Sequence, residues 1–281
     1  MKSVWVVGAS SGIGEALAIE YCKLGYRVFI SARSAQALNT LSIACSGVFS
    51  EAENEQSAGS KEPSTHHDKQ GVMIPLPMDV TDEASIERAV GQIKNVTQKI
   101  HKVIINAGTC EYVDETQVDI HLMRRVMETN LFGAVHVSNH SQSLLSHDEH
   151  PQIAFVSSSV TYQALPRAHA YGGSKAALRY FVECLKADIQ HKGMDVRLIS
   201  PGFVKTPLTD KNDFDMPFMI SSDEAASRII KGLNSSKFDI HFPKRFTLIL
   251  KLFSLLPDSI KFYLLGKITR AESNQADEIR P

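Results

Sequence analysis

The sequence is poor in several features that mark particular protein classes, beginning with cysteine. Its 281 residues include four cysteines, with no C-x-x-C pair and no close cysteine–histidine cluster. This pattern supports neither a disulfide scaffold nor a zinc site, and we expect no metal. We interpret Cys22, Cys45, Cys110 and Cys184 as reduced thiols.

The chain also lacks a charge excess and long apolar runs. Thirty Lys and Arg against 31 Asp and Glu give a formal net charge of −1, so the overall basic field of a nucleic-acid binder is missing. No run approaches the roughly 18 apolar residues that a membrane-spanning helix needs. The opening MKSVWVVGASSGIG has too short an apolar stretch for a signal peptide. We therefore expect a cytoplasmic protein without a nucleic-acid partner.

The rest of the composition, 43% hydrophobic and 22% charged, is that of an ordinary globular protein. Short β-branched runs alternate with longer amphipathic segments, which predicts an α/β fold: one doubly wound parallel sheet with helices on both faces. The seven predicted strands are 4–7, 27–31, 72–77, 102–106, 152–157, 195–200 and 238–242. The predicted helices are 12–24, 35–45, 82–99, 118–146, 170–191 and 222–234.

One segment, 46–71, breaks this alternation. It is rich in Ser, Glu, Gly, Asn, Gln, His and Lys and has few apolar residues beyond Val48 and Phe49, so we predict a flexible surface insertion. His66 and His67 are adjacent but have no third ligand nearby, and a solvated loop is the preferred interpretation.

A glycine-rich turn follows the first predicted strand directly and leads into a helical pattern. Gly8 permits a tight turn, Gly12 lets a pyrophosphate approach the backbone, and Gly14 allows close helix–strand packing. The turn reads Gly8, Ala9, Ser10, Ser11, Gly12, Ile13 and Gly14. Three glycines also fit an ordinary turn, so other motifs must decide whether a dinucleotide binds here.

The second predicted strand ends in Ser31, Ala32 and Arg33, where NAD binding would call for a carboxylate on the ribose 2′-OH. An arginine can instead hold a 2′-phosphate through two hydrogen bonds, which favours NADP over NAD. The alternative is a solvated surface charge.

Two further strand ends carry residues suited to a cleft or to a turn. Asp79 closes the third strand, and Asn106, Ala107 and Gly108 end the fourth. Taken alone, Asp79 also fits a helix N-cap and Asn106 a turn former.

Tyr171 and Lys175 are four residues apart in a helical pattern, so they lie on one face. A nearby ammonium and a nicotinamide charge would lower the pKa of the phenol, which could then exchange a proton with a substrate oxygen. By itself the pair also fits ordinary packing. Ser157, Ser158 and Ser159 follow an apolar strand, and Ser158 stands 13 residues before Tyr171.

These motifs resemble, in order and spacing, those of the short-chain dehydrogenase/reductase superfamily over about residues 3–243. The resemblance includes the G-x-x-x-G-x-G turn, Asn130 in a helical segment, and the turn that reads Pro201, Gly202, Phe203, Val204, Lys205 and Thr206. The departures are the 46–71 insertion, Val7 in place of the usual Thr, and the C-terminal extension. The sugar-nucleotide epimerase branch, with its G-x-x-G-x-x-G turn, is less similar.

The resemblance implies a single Rossmann domain over 1–243 that transfers hydride reversibly between NADP(H) and a carbonyl or secondary alcohol. Ser158 would polarise the carbonyl and Tyr171 donate the proton, while Lys175 holds the ribose and Asn130 completes a water relay. In the family, Asp79 corresponds to the residue that bonds the adenine amino group. The implied cofactor-binding residues are Gly8, Ser10, Ser11, Gly12, Ile13, Gly14, Arg33, Asp79, Asn106, Ala107, Gly108, Tyr171, Lys175, Pro201, Gly202, Val204 and Thr206. Helices 118–146 and 170–191 would form the subunit interface of a homodimer or homotetramer.

Two segments beyond the motifs bear on substrate and partners. Residues 207–220 fit either a mobile apolar lid or a loop packed on the next helix. Residues 244–281 form an extension that is apolar and basic as far as 270; 244–270 fits packing, a lipid-like substrate, or peripheral contact with a membrane. A non-catalytic NADP-binding redox sensor and a membrane-associated scaffold are the alternative functions.

Overall fold

The computed structural model describes residues 1–56, 71–112, 117–145 and 151–267, and for residues 46–56 it describes the backbone alone. Seven parallel strands form one sheet in the order β3-β2-β1-β4-β5-β6-β7. The strands are β1 (Ser3–Val7), β2 (Arg27–Ala32), β3 (Val72–Pro77), β4 (Lys102–Ile105), β5 (Gln152–Val156), β6 (Asp195–Pro201) and β7 (Asp239–Phe242). The predicted α/β fold class is therefore confirmed, with each strand end within two residues of its prediction.

Helices cover both faces of this sheet. They are α1 (Gly12–Lys23), α2 (Ala35–Gln56), α3 (Glu83–Val96), α4 (Ile120–Met127), α5 (Gly133–Ser141), α6 (His169–Ile189), α7 (Ser222–Leu233), α8 (Lys244–Ser254) and α9 (258–267). Because side chains alternate along a strand, Val4 and Val6 of β1 join the core beneath α1, α2 and α7. Trp5 and Val7 join the opposite core beneath α3, α5 and α6.

Two predicted helices differ strongly from the structure, whereas the limits of the other four agree within three residues. The predicted end of α2 at Cys45 is wrong, because the helix continues to Gln56. Its extra residues are poor in apolar side chains but contain helix-forming Glu, Ala and Gln and no proline, so low hydrophobicity argued against burial and not against a helix. His66, His67 and the rest of the 57–70 segment lie outside the described residues.

The predicted 118–146 helix is interrupted. A π-helical turn, Glu128–Phe132, separates α4 from α5, and Gly133 N–H donates to the carbonyl of Glu128, five residues back. Gly133 packs so closely against the loop between β3 and α3 that a Cβ on Gly133 would lie 2.7 Å from Val80 Cγ2. The π turn thus lies beside the point where the helix contacts the loop between β3 and α3.

The strand order reverses direction between β1 and β4, where the connections leave toward opposite edges of the sheet. In doubly wound sheets, ligands bind beyond the carboxyl ends of the strands at this point. Among the described helices, none has both the length and the apolar character needed to cross a membrane.

Candidate active site

A cleft of about 740 Å³ opens at the switch point, beyond the carboxyl ends of β1 and β4. Most of the residues singled out in the sequence line it. They are Gly8, Ser10, Ser11, Gly12, Ile13, Arg33, Asp79, Asn106, Ala107, Gly108, Ser158, Tyr171, Lys175, Pro201, Gly202, Val204 and Thr206. Gly14 and Asn130 stand behind this wall and support it.

The glycine turn is held by backbone bonds and by one side chain. Gly8 has φ +86°, and its N–H donates to Ser31 O at 2.7 Å. Asn106 Nδ2 donates to Gly8 O at 2.8 Å, which ties the ends of β1 and β4 together. A Cβ on Gly14 would overlap Gly8 O, so close helix–strand contact requires glycine there.

The same turn leaves the space that a dinucleotide phosphate group would need. Gly12 begins α1 with φ +59°, and a Cβ there would lie 2.8 Å from Thr206 Cγ2 across the cleft. Backbone N–H groups at a helix N-terminus suit an anionic group. The residues present therefore fit the phosphate portion of a dinucleotide.

Arg33 and Asp79 lie at the far end of the cleft. Arg33 is exposed and forms no ion pair with another described side chain. Asp79 Oδ1 accepts bonds from Thr81 N at 2.9 Å and Thr81 Oγ1 at 2.8 Å. The N-cap alternative for Asp79 is wrong, since Asp82 caps α3 by accepting from Ala84 N.

Asn130 is fully buried in the π turn, with its side chain bonded to the loop after β4. Its Oδ1 accepts from Thr109 N at 2.7 Å, and its Nδ2 donates to Thr109 O at 2.9 Å. Nδ2 also donates to Ser174 Oγ at 2.9 Å. A Cβ on Gly108 would lie 3.1 Å from Asn130 Oδ1 and 3.2 Å from Lys175 Nζ, so these two side chains flank one small space.

Ser158 and Tyr171 meet across the floor of the cleft. Ser158 begins a short 3-10 turn, Ser159–Thr161, and its Oγ accepts from Val160 N. A hydrogen bond with Ser158 favours ionisation of Tyr171, but burial dominates and raises the pKa of Tyr171 above its ordinary value, with Cys110 adding to the rise. In the chain by itself the pKa of Tyr171 is therefore raised, and its lowering beside a nicotinamide charge stays a prediction.

The position of Lys175 helps to explain why the pKa of Tyr171 is not lowered. Its Nζ donates to Val156 O at 2.9 Å and lies 6.0 Å from the centre of the Tyr171 ring. Burial lowers the pKa of Lys175 to about 8, while Cys110 opposes the change. Spacing correctly predicted one helix face, yet it could not show that the ammonium bonds to a strand carbonyl.

A second, smaller pocket of about 330 Å³ adjoins the cleft and is largely apolar. Ser158, Tyr171, Gly202, Leu208 and Thr209 line both spaces and mark their junction. Residues 207–220 wall the pocket: Phe214 stacks edge-on against Tyr112 at 5.2 Å between ring centres and lies 6.0 Å from Phe203. This arrangement favours a segment that covers the pocket over a loop packed on the next helix, while the motion of such a lid stays a prediction. We call residues 207–220 the covering segment.

Several residues of the site escaped the sequence analysis. Three of them come just after the Asn-Ala-Gly turn: Thr109, Cys110 and Tyr112. Their place after this turn is the sequence signal that could have identified them as site residues. Phe246 and Leu250 of α8 line the apolar pocket. Their four-residue spacing marks a helix face, but only the fold shows which face meets the pocket.

The fold and the cleft define a doubly wound α/β protein with a glycine turn and a Ser-Tyr-Lys group at the switch point. A model of the short-chain dehydrogenase family matches residues 48–216, more than half of the chain. The chain therefore belongs to the short-chain dehydrogenase family of oxidoreductases. The matched region contains Asn130, Ser158, Tyr171 and Lys175 and excludes the glycine turn and Arg33.

Individual relatives agree with this. An uncharacterized oxidoreductase of Myxococcus xanthus is 27% identical over 260 residues, which is 92% of this chain and 94% of that protein. A Burkholderia cenocepacia short-chain dehydrogenase in complex with NADP has a TM-score of 0.72 at 20% identity, with 94% of this chain and 99% of that chain covered. A Burkholderia phymatum short-chain dehydrogenase/reductase in complex with NAD also has a TM-score of 0.72, at 17% identity, with 89% and 92% covered. At these identities, the likeness to solved structures shows the fold.

Proposed function

We propose that this protein is an NADP(H)-dependent carbonyl reductase, working reversibly on an apolar ketone, aldehyde or secondary alcohol. The observation that carries the proposal is the position of Ser158 and Tyr171 at the junction of a polar cleft and an apolar pocket. Two ligands, one in each space, would meet beside a hydroxyl pair. That arrangement suits proton exchange with a substrate oxygen next to a bound redox cofactor.

The chain's own residues divide the work. Ser158 Oγ donates a hydrogen bond to the substrate carbonyl oxygen and so polarises it. Tyr171, which burial keeps protonated, donates the proton as the oxygen becomes a hydroxyl. Lys175, with a pKa of about 8, can return a proton near neutral pH, and Asn130 fixes the Thr109 loop beside it.

The cleft residues would hold NADP(H). The glycine turn and the start of α1 would bind the pyrophosphate, Arg33 the 2′-phosphate, and Asp79 the adenine. Val204 and Thr206, beside Pro201 and Gly202, would orient the nicotinamide. When bound, this cofactor supplies or accepts the hydride. The relatives in complex with NAD and with NADP are compatible with either cofactor, so Arg33 is the residue that favours NADP.

The substrate class follows from the pocket. Its walls include Leu165, Phe203, Phe214, Phe246 and Leu250, and its volume of about 330 Å³ suits a small or medium apolar molecule. A panel of ketones, aldehydes, steroids and acyl carbonyls with NADPH would identify the compound. Cytoplasmic location and a homodimer or homotetramer through α4, α5 and α6 complete the proposal.

Replacing Tyr171 with Phe tests the assignment. The ring keeps its packing but loses the proton donor, so kcat for NADPH-dependent reduction should fall by about 10²–10⁴-fold with NADPH affinity nearly unchanged. Tyr112→Phe, which removes a phenol from the same pocket, is the matched control and should retain most activity. Full activity in the Tyr171 variant would overturn the proposal, and tight NADPH binding without turnover on the whole panel would favour a non-catalytic sensor.

Replacing Arg33 with Asp tests the cofactor preference. Loss of a charged, two-bond contact should weaken NADPH binding by roughly 10–100-fold, and the new carboxylate should improve NADH binding through the ribose 2′-OH. Fluorescence titration of both cofactors measures this. Arg33→Lys keeps the charge without the paired geometry and should lie between the two. An unchanged ratio of the two affinities would rule out Arg33 as the selecting residue.

A further inference from the structure

The rotation of α8 about its axis is fixed by polar contacts on its inner side. Thr247 is fully buried, and its Oγ1 lies 2.7 Å from His241 Nδ1. Lys251 Nζ lies 4.4 Å from the centre of the Tyr162 ring and 3.9 Å from Asp239 Oδ2. Thr247 and Lys251, about one turn apart, thus form a polar stripe on α8 that faces the protein.

Four apolar residues, three in α8 and Leu255 just after it, face outward as a result. Leu248, Ile249, Leu252 and Leu255 are 49–79% exposed. The neighbouring α9 segment adds Ile260, Phe262 and Tyr263, which are 47–65% exposed. We call these seven side chains the C-terminal apolar face. Such a concentration of exposed large apolar residues marks a contact surface, because soluble proteins rarely leave an extensive apolar patch exposed to water.

The charges around this face are mostly basic. Residues 244–267 contain five Lys or Arg and one acidic residue, Asp258, which pairs with Lys261 at 2.8 Å. Lys244, Arg245 and Lys267 are exposed. An amphipathic surface with a basic rim complements the anionic headgroups and adjoining acyl chains of a phospholipid membrane.

Two other occupants fit this pattern less well. Residues 268–281 contain only two large apolar side chains, Ile268 and Ile279, which is too few to cover seven. A second copy related by a two-fold axis would present the same patch, so its basic rim would meet an identical basic rim. Like charges in contact disfavour that arrangement.

The face lies directly behind the apolar pocket. Phe246 and Leu250 line the pocket from the inner side of α8, so a single helix separates the two. Phe218 of the covering segment is 47% exposed and lies 6.4 Å from Phe246 between ring centres. Contact at the C-terminal apolar face would bring the pocket wall close to the contacted surface.

We propose that the C-terminal apolar face docks this protein on the surface of an anionic phospholipid membrane. The consequence that a membrane-dissolved carbonyl compound reaches the pocket past α8 rests on the proposed function. Docking itself does not depend on it, so binding can be tested whether or not turnover is found.

The full chain is sedimented with vesicles of phosphatidylcholine alone and of phosphatidylcholine with about a third phosphatidylserine, at low and high salt. We expect binding to the anionic vesicles that weakens with salt. The double variant Leu252→Glu, Leu255→Glu should reduce it by about tenfold or more, because both charges would enter the acyl boundary. Ile43→Glu, at a 71% exposed apolar position on α2, is the matched control and should bind as the unaltered chain does.

A second double variant tests the charges. Arg245→Gln with Lys267→Gln should lower binding to anionic vesicles toward the level on neutral ones. Circular dichroism and thermal unfolding, measured on every variant, report the fold whether or not NADPH binds. No vesicle binding by the unaltered chain, or equal binding by the Leu252, Leu255 variant, would overturn the proposal. Sedimentation velocity showing that this variant abolishes a dimer, without vesicle binding by the parent, would assign the face to a second copy instead.

Discussion

Lys175 is a cation with almost no contact with water. It is 3% exposed, and burial lowers its pKa to about 8. Its charge is thus present below about pH 8 and lost above, more than two units earlier than in water. At the same site, burial raises the pKa of Tyr171, so the phenol stays protonated through this range. As the pH rises, Lys175 therefore loses its proton before Tyr171 does.

The rate of carbonyl reduction should follow the charge of Lys175. We expect kcat to be level from about pH 6 to 7 and to fall by half near pH 8 as the ammonium loses its proton. Initial rates at saturating NADPH and substrate measure it. In Lys175→Arg the guanidinium stays charged, so whatever activity is left should show no decline near pH 8. A level profile to pH 10 in the unaltered protein would contradict this role.

At this scale the sequence predicted which side chains share a site and missed their electrostatics. The four-residue spacing of Tyr171 and Lys175 shows a common helix face. The bond from Lys175 Nζ to Val156 O depends on how far α6 sits above β5, and that distance is set by packing across the sheet. Cys110, which opposes the shift on Lys175, comes from another loop entirely.

Among the elements, the segment that covers the apolar pocket is held by hydrogen bonds near its two ends and, between them, by an ion pair and a set of rings. Arg167 has a left-handed backbone, φ +63°, and its guanidinium donates two bonds to Asp213, at 2.9 and 3.0 Å. The pair joins the loop before α6 to the covering segment. Asp213 is 66% exposed, so solvent screens the attraction and its contribution is small.

Removing each of these attachments should have different consequences. Asp213→Asn should raise KM for an apolar carbonyl by less than about fivefold, in keeping with an exposed ion pair. Phe214→Ala should raise KM by more, because it opens the pocket and removes the ring between Tyr112 and Phe203. Asp210→Asn, an exposed residue of the same segment, is the control. Steady-state kinetics of the three variants measure these KM values. A larger increase in KM for Asp213→Asn than for Phe214→Ala would contradict the prediction.

Element boundaries show where pattern stops being informative. Strand ends were predicted within two residues because β-branched runs end at turn residues. The interruption of the long helix at Glu128–Phe132 was signalled only by Asn130, a poor helix former. The turn contacts Thr109 and Val80, which lie in other elements and so leave no local pattern.

For the whole molecule, the alternation of strands and helices determined the architecture, since parallel strands with both faces covered permit few arrangements. The direction of the C-terminal apolar face could not be derived in the same way. A helix with one polar stripe normally presents that stripe to water, but here Asp239, Tyr162 and His241 offer it partners inside. The near-zero net charge of the chain likewise conceals a local basic rim.

The π turn also governs how the chain tolerates changes in length. A π turn takes up one residue more than an α-helical turn, so deleting one residue between 128 and 132 would let the backbone close into a regular α-helix with α5 in nearly the same rotation about the helix axis. Deleting one residue between 133 and 136, where the bonding is already regular, would instead turn the rest of α5 by about 100°, and Val137 would leave the core. A one-codon deletion in the turn is therefore a local event, whereas the same deletion in α5 would be transmitted along the helix as a rotation.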